Sequence, residues 1–321
     1  MKLDLHRGYN DASVLRCKAG KLHSGALMDQ LYYGFSKEKM ISLTFADVTE
    51  SAKSLEKKHL SGPTAGRFLA EALVSVALLS ADLGSEDERI SLQAQVSGPV
   101  GGCLVDASRS GNLRGYTTIK ILNDLDASDS TPLQEALGDI GAITLIHSNS
   151  RRVISQKQIS CNPLNLRHGL ARYFNDVHQK PTAIEISATS RDHYLHRAVG
   201  LRMSRMPDGS SEDFVPLLER FNDRTIQKAL AQAVDITLMS QLLGLEDMVI
   251  IERRVLAAKC SCSREKVLYS ISCLPLEELE EILEQKEKPE VTCHFCSNTF
   301  RVEPAEIARI IIEKKEQKPA E

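Results

Sequence analysis

Two tight pairs of cysteines near the end of the chain limit its folds more than any other feature. Cys260-Ser261-Cys262 is followed, after thirty residues, by Cys293-His294-Phe295-Cys296, so that four of the eight cysteines are paired. In a reducing compartment thiols persist, and paired cysteines point to metal or redox chemistry before structural disulfides. Four thiolates at tetrahedral corners suit zinc. Two residues between Cys293 and Cys296 make a turn whose amides can face the sulfurs, and the single residue between Cys260 and Cys262 lets both side chains reach one ion. The intervening residues must then fold into a small unit that brings the pairs together. A helix is expected over Leu276–Gln285. A second should begin near Pro304, with Ile307, Ile310 and Ile311 on one face and Lys314 and Lys315 at its C-terminal end.

Four thiolates around Zn²⁺ carry a formal charge of about −2, and the ion keeps the sulfurs deprotonated. Two uses follow. The site is purely structural, or it is a redox switch in which oxidation to disulfides destroys the ligand set and the metal leaves. Structural zinc contributes roughly 10–16 kcal/mol of apparent binding free energy. A unit of about sixty residues has little hydrophobic reserve to replace that.

The remainder is long enough for more than one domain, with 321 residues of which 42% are hydrophobic. Net charge is −3, Trp is absent and only 5% of residues are aromatic, so neither a basic footprint nor a stacking platform invites nucleic acid. The N-terminal stretch MKLDLHRGYNDAS has no apolar core of a signal peptide. The longest apolar run, Phe68 to Leu83, contains Glu71 and Asp82 and is short for a bilayer. A cytoplasmic protein with no membrane partner is the expectation.

Along the chain, Val14–Lys18 and Met40–Val48 read as strands and Thr49–Leu60 as a helix. Pro63 opens the best-defined helix, with Thr64 as its cap, apolar residues from Phe68 to Leu83 at three- and four-residue spacing, and Gly84 as its stop. Ile90, Leu92, Ala94 and Val96 alternate with polar residues and start a meander that continues through Cys103–Ala107 and Leu113–Ile121. Ala142–His147 and Arg152–Ile159 form a hairpin around Asn149, Leu166–His178 a helix and Ala183–Ala188 a strand. Leu195, Val199 and Met203 favour a helix over His193–Met206. Pro207-Asp208-Gly209-Ser210-Ser211 is a boundary loop. Beyond it Leu217, Leu218, Phe221, Ile226, Leu230, Val234, Leu238, Leu242 and Leu243 give a broad apolar helical face before a strand at Met248–Ile251. The expected fold class is α+β: a mixed strand and helix core domain over residues 1–206, a mainly helical linker over 207–256 and a small zinc-binding domain over 257–321.

Other candidates carry less. Cys17, Cys103 and Cys161 read as small buried hydrophobes, and Cys273, placed near a helix start, as a cysteine able to join thiol exchange. His294 is a substitute ligand only if a cysteine fails, and Phe295 packs beneath the turn. His147, His193 and His196 lack metal spacing. Ser97-Gly98-Pro99-Val100-Gly101-Gly102 joins two strands without the Gly-Lys-Ser/Thr of a phosphate loop. With no Gly-x-Ser-x-Gly or His-Glu-x-x-His motif, no enzyme is expected.

The segment Lys259-Cys260-Ser261-Cys262-Ser263-Arg264-Glu265-Lys266, with Cys293-His-Phe-Cys296, resembles the heat-shock protein 33 family of redox-regulated 33 kDa chaperonins. Ser97-Gly98-Pro99-Val100-Gly101-Gly102, Gly111-Asn112-Leu113-Arg114-Gly115-Tyr116 and the stretch from Ala198-Val199-Gly200-Leu201 to Met206-Pro207 are similar to that family's core motifs, in the same order. Ser97 stands where the family usually has Asp, and Cys273 is an additional cysteine. The resemblance implies an ATP-independent holdase that is inactive when reduced and zinc-bound. It implies Cys260, Cys262, Cys293 and Cys296 as ligands to one zinc, with disulfides Cys260–Cys262 and Cys293–Cys296 on oxidation. Zinc release would then unfold tail and linker, expose apolar surface to unfolding client proteins and turn a monomer into a homodimer. The competing reading is a nucleic-acid-binding zinc ribbon with a structural ion. It asks for a basic tail, whereas this one carries Glu277, Glu278, Glu280, Glu281, Glu284 and Glu287.

Overall fold

A computed structural model describes residues 28–127, 133–232, 235–285 and 288–317. The expected strand Val14–Lys18, Cys17, Val234 and Glu287 lie outside the described residues. The fold is α+β, as expected. Its first sheet has five antiparallel strands in the order β10-β1-β2-β9-β8: β1 Gln30–Ser36, β2 Ile41–Asp47, β8 Thr182–Arg191, β9 Tyr194–Arg205 and β10 Val249–Val255. The second has the order β11-β5-β4-β3-β6-β7: β3 Arg89–Val96, β4 Gly102–Ser108, β5 Asn112–Thr117, β6 Gly141–Ser148, β7 Val153–Ser160 and β11 Ala257–Ala258. A two-stranded ribbon, β12 Glu290–Thr292 with β13 Thr299–Arg301, lies in the tail.

Helices α1 Thr49–His59 and α2 Pro63–Leu79 follow the first hairpin. Gly62 is the N-cap of α2 and Pro63 its first residue. The expected cap Thr64 is therefore already helical, its N–H donating to Asp126 Oδ1 at 3.1 Å. A 3₁₀ turn, Ser80–Asp82, carries the chain on past α2. By length and composition Pro63–Asp82 is apolar enough to cross a membrane, but 78% of its apolar 18-residue stretch is buried inside the protein. It is the core helix. Phe68, Leu69, Leu73, Val76 and Leu78 pack in one cluster with Leu92, Val105, Leu113 and Ile143 of the second sheet.

The other face of the five-stranded sheet is also covered. Short helices α3 Asn123–Asp126, α4 Leu133–Leu137 and α5 Leu166–Arg172 belong to the first half of the fold, and α6 Ser211–Asn222, α7 Thr225–Ala231 and α8 Ile236–Leu242 come after β9. Phe214, Leu217, Phe221, Ile226, Leu230, Ile236 and Met239 close over Ile41, Leu43, Phe45, Val199, Leu201 and Met203. That double coverage corrects the helix expected over His193–Met206, which is strand β9. Val199, Leu201 and Met203 face the later helices, while Ala198, Gly200 and Arg202 face α2. A strand buried on both faces loses the polar–apolar alternation that marks a half-exposed one. Gly200 is needed because Val74 Cγ1 lies 2.4 Å from where a Cβ would stand.

Arg202 is 1% exposed and is the charged member of that inner face. Its guanidinium donates to Asp82 at 2.5 and 2.8 Å and to Thr44 at 3.1 Å, and stacks over Phe174 at 4.7 Å. Arg202→Ala should lower unfolding free energy by about 2–5 kcal/mol, because it opens a cavity and leaves the buried Thr44 hydroxyl without its donor, whereas the half-exposed Asp82 is taken up by water. The urea midpoint measures it.

Helix α1 takes its N-terminal partners from distant sequence. Asp29 accepts hydrogen bonds from the Glu50 and Ser51 amides at 2.8 and 2.6 Å. Burial pushes the Asp29 carboxyl up to about 6, against the lowering effect of Ser51 and Glu50. The unfolded value is about 3.9, so the folded state binds this proton more tightly. The stability from this group is fullest below about pH 4, falls through pH 6 and is lost above it, a change of about 3 kcal/mol. Asp29→Asn should flatten that part of the stability–pH curve, read from urea midpoints between pH 4 and 7.

Candidate metal centre

The last strands of the body lead directly into the cysteines. β10 adds to the edge of the first sheet beside β1, and β11 to the edge of the second, parallel to β5. Residues 249–258 therefore strap both sheets before the chain reaches Cys260. The residues between 248 and 256 are thus part of the core sheet and not helical. Gly111, at φ +84°, leaves room for the Val255 carbonyl, which would lie 2.1 Å from a Cβ there.

Ser263 caps helix α9, Arg264–Ser272, by accepting from the Lys266 amide, so the chain turns into a helix immediately after Cys262. Helix α10, Leu276–Glu284, and α11, Pro304–Gln317, complete the tail. Its core is small: Val267, Ile271, Leu279, Val302, Ile307, Ile310 and Ile311. Cys293–Asn298 forms the turn between β12 and β13, closed by Cys293 N–H to Asn298 O at 2.9 Å and Ser297 N–H to Cys293 O at 2.8 Å.

The four sulfurs converge. All lie within 4.8 Å of one another, with Cys260 to Cys293 at 3.8 Å and Cys262 to Cys296 at 3.5 Å. These are free thiols, far beyond bonding distance. Sulfurs about 2.3 Å from a central zinc stand about 3.8 Å apart, so the donor set fits a tetrahedral soft-metal site. The electrostatics agree. Burial works against the Cys260 thiolate, but hydrogen bonds from Cys262, Cys293 and Cys296 hold its pKa down at about 7. Burial and the adjoining sulfurs push Cys262 up, and burial pushes Cys296 up. With no cation, one sulfur ionises at the expense of the others. A divalent ion lets all four ionise together.

His294 lies outside the sulfur cluster, its ring edge-on to Tyr116 at 5.7 Å. Cys273 is exposed, at the C-terminal end of α9 and two residues before Pro275, the N-cap of α10. Cys103 and Cys161 are buried, and burial raises both thiols, Cys103 to about 12. His147 bonds Glu88 at 3.0 Å.

Sequence reasoning missed three residues of the body that touch the tail. Phe295 packs edge-on against Tyr116 at 5.3 Å and under the Arg114 guanidinium at 4.0 Å. His59, at the end of α1, lies 2.8 Å from Ser297 Oγ through Nδ1, and its Nε2 is 3.0 Å from the Gly115 carbonyl and 3.2 Å from that of Phe295. Two carbonyls can only accept, so Nε2 carries the proton and Ser297 donates to Nδ1. Burial lowers the His59 pKa and favours this neutral form. A basic run Lys57-Lys58-His59 reads from sequence as an ordinary helix end, and nothing in it points across 236 residues to Phe295.

Comparison with known proteins gives one consistent answer. The 33 kDa chaperonin of Geobacillus kaustophilus (strain HTA426) is 26% identical over 272 residues, covering 83% of this chain and 91% of that protein. That of Clostridium perfringens (strain SM101 / Type A) is 26% identical over 304 residues, covering 90% and 93%. The crystal structure of the Thermotoga maritima 33 kDa chaperonin, a heat shock protein 33 homolog, superposes with a TM-score of 0.80 at 20% identity, over 91% of this chain and all of that one, and shows the shared fold. The model of the Hsp33 protein family matches residues 29–303, through both sheets, the covering helices and all four paired cysteines, and the chain belongs to that family.

Proposed function

We propose that this protein is a redox-gated, ATP-independent chaperone of the cytoplasm whose reduced form binds one zinc ion through Cys260, Cys262, Cys293 and Cys296. The observation that carries the reading is the convergence of the four sulfurs within 4.8 Å, at the end of a strap joined to both sheets. Bound zinc supplies charge compensation for four ionised sulfurs and a cross-link for a tail whose own core is small.

The chain's residues do the rest. A peroxide accepts two electrons from each thiolate pair and is reduced to two hydroxides as the S–S bond closes, and the disulfide's sulfurs no longer serve as anionic ligands. The pairing implied by the family is Cys260–Cys262 and Cys293–Cys296. With the ligand set lost, the tail has too little apolar contact to stay folded. Release then passes through the strap of residues 249–258 to helices α6–α8, whose removal uncovers Ile41, Leu43, Phe45, Val199, Leu201 and Met203. A contiguous apolar sheet face of this kind suits unfolding client proteins, and a second copy of the chain in an oxidised dimer. Within the linker of residues 207–256, helices α6–α8 are on this reading a removable cover. An acidic tail disfavours the nucleic-acid alternative.

X-ray absorption of the reduced chain tests the centre. Four sulfur neighbours about 2.3 Å from one zinc support it; nitrogen or oxygen neighbours, or no bound zinc, refute it.

A further inference from the structure

The strap of residues 249–258 is not alone in holding the tail against the body. Strand β5 receives it along one edge. The Ala257 amide donates to the Gly111 carbonyl and the Lys259 amide to that of Leu113, both at 3.0 Å. From the same strand Arg114 reaches three parts of the tail. It donates to Ser261 Oγ at 3.3 Å, lies over the Phe295 ring at 4.0 Å and faces the Cys260 sulfur. Tyr116 meets Phe295 and His294 edge-on, and His59 closes the far side through Ser297 and the Phe295 carbonyl.

Charge explains why a cation stands there. Arg89, Arg114 and Lys259 line a shallow pocket beside Cys260 with a single carboxylate, Asp106. Asp106 takes Arg114 at 2.6 Å and Arg89 only at 3.8 Å. The surroundings of Cys260 therefore keep a positive excess, which a loaded centre of net charge about −2 would offset. Arginine is always charged, and its planar fork can stack on Phe295 while it donates to Asp106 and Ser261.

We infer that Arg114 and His59 are positioning residues for the metal centre: they seat the Cys293–Ser297 turn on the β5 edge, so that holding the ion and docking the tail reinforce each other. The inference rests on the reading of the four cysteines as a metal site. Coupling of this kind is reciprocal. If the ion strengthens docking, docking must strengthen retention of the ion. It also gives the body a direct hold on the turn that carries Cys293 and Cys296, separate from the chain connection through the strap. Loosening that hold on the surface of the body should weaken zinc binding without touching a ligand.

The test uses the full-length reduced chain loaded with zinc, and a competing chelator to withdraw the ion with no oxidant present. Arg114→Gln should release zinc about tenfold faster and lose most of the salt dependence of release, since a partly desolvated cation facing this centre contributes of that order. Arg114→Lys should recover the salt dependence but only part of the retention, having charge without the fork. His59→Gln should release about threefold faster, the loss of roughly one hydrogen bond. In the Arg114→Gln chain, still loaded, the amides of Ala257 and Lys259 should exchange faster with solvent while those of β3 and β4 do not change. Asp106→Asn separates positioning from support of the core: it removes the buried carboxylate and costs the body stability, but it keeps an acceptor oxygen for Arg114 and should leave release within about twofold. Equal acceleration by Asp106→Asn and Arg114→Gln, or an unchanged rate and salt dependence in Arg114→Gln, overturns the inference and leaves the zinc site standing. No zinc in the unsubstituted chain overturns the metal reading itself, and this inference with it.

Discussion

Replacing Cys293 and Cys296 together by serine should abolish stoichiometric zinc binding and melt residues 259–317 while both sheets of the body stay folded. The reason is the imbalance between the two units. The tail's buried cluster has seven side chains, and around it Tyr269 is 73% exposed and Ile312 56%. An ion binding with roughly 10–16 kcal/mol exceeds what so small a core can replace. The body is different. Its first cluster draws on both sheets and on helices α1, α2 and α5, and depends on none of the four sulfurs. Amide exchange should show protection lost from Val267, Ile271, Leu279 and Ile307 and kept at Leu73, Leu92 and Leu201. Zinc analysis should fall from one per chain to none. Retained stoichiometric zinc in the double variant would remove the ligand assignment. The same variant should suppress client aggregation without oxidant, because the strap loses its anchor.

Leu230→Asp should produce the opposite dissociation: an active chaperone with zinc still bound. Leu230 is fully buried in α7, which packs on β8 and β9 and shares a cluster with Val199, Leu201 and Met203. Removing a buried leucine costs about 2–5 kcal/mol, and a carboxylate in its place must be desolvated or escape to water. Escape is available here by peeling α6–α8 from the sheet, at a total cost of at least about 5 kcal/mol to the covered state. The four-sulfur cluster lies at the β5 edge of the other sheet, and the tail's apolar cluster is separate from the one that holds Leu230. Zinc content should therefore stay at one per chain. Light scattering from a denatured client should fall in the reduced state, and a dye that binds apolar surface should brighten. A variant that unfolds globally would lose the exchange protection of α2, which the same samples report. If Leu230→Asp uncovers the sheet and clients still aggregate, the sheet face is not the binding surface.

How much of this was legible in the sequence depends on what each element faces. Helix α2 could be read because its apolar spacing is uninterrupted and Pro63 marks its start. Strand β3 could be read because Ile90, Leu92 and Ala94 are buried while Gln93 and Gln95 are exposed. Strand β9 could not, since it is covered on both faces, and its Leu195, Val199 and Met203 then fall at a spacing that imitates a helix. That the four cysteines come together could be read at once, because residue type and paired spacing are local properties. Their surroundings could not. Arg114 and Tyr116 stood inside a recognisable motif without a visible role, and His59 gave no signal. Contacts between positions more than a hundred residues apart leave no trace in a single sequence when the residues are chemically ordinary. Asp29 bonding the first turn of α1 shows the same at shorter range: the carboxylate stands 21 and 22 residues before the amides it accepts from, too far for a local capping signal.

The central proposal is that, in the unsubstituted chain, loss of the thiolate ligand set is the event that uncovers the client surface. One titration tests it most directly. Reduced, zinc-loaded protein receives peroxide in steps under mild heating. At each step the same sample yields free zinc, amide protection of Phe214–Met239 and light scattering from an unfolding client. The account predicts one zinc per chain at the start, and zinc release, loss of protection and suppression of scattering that rise together along one curve. Full suppression of aggregation with zinc still bound, or complete zinc release with Phe214–Met239 still protected and clients still aggregating, would contradict it.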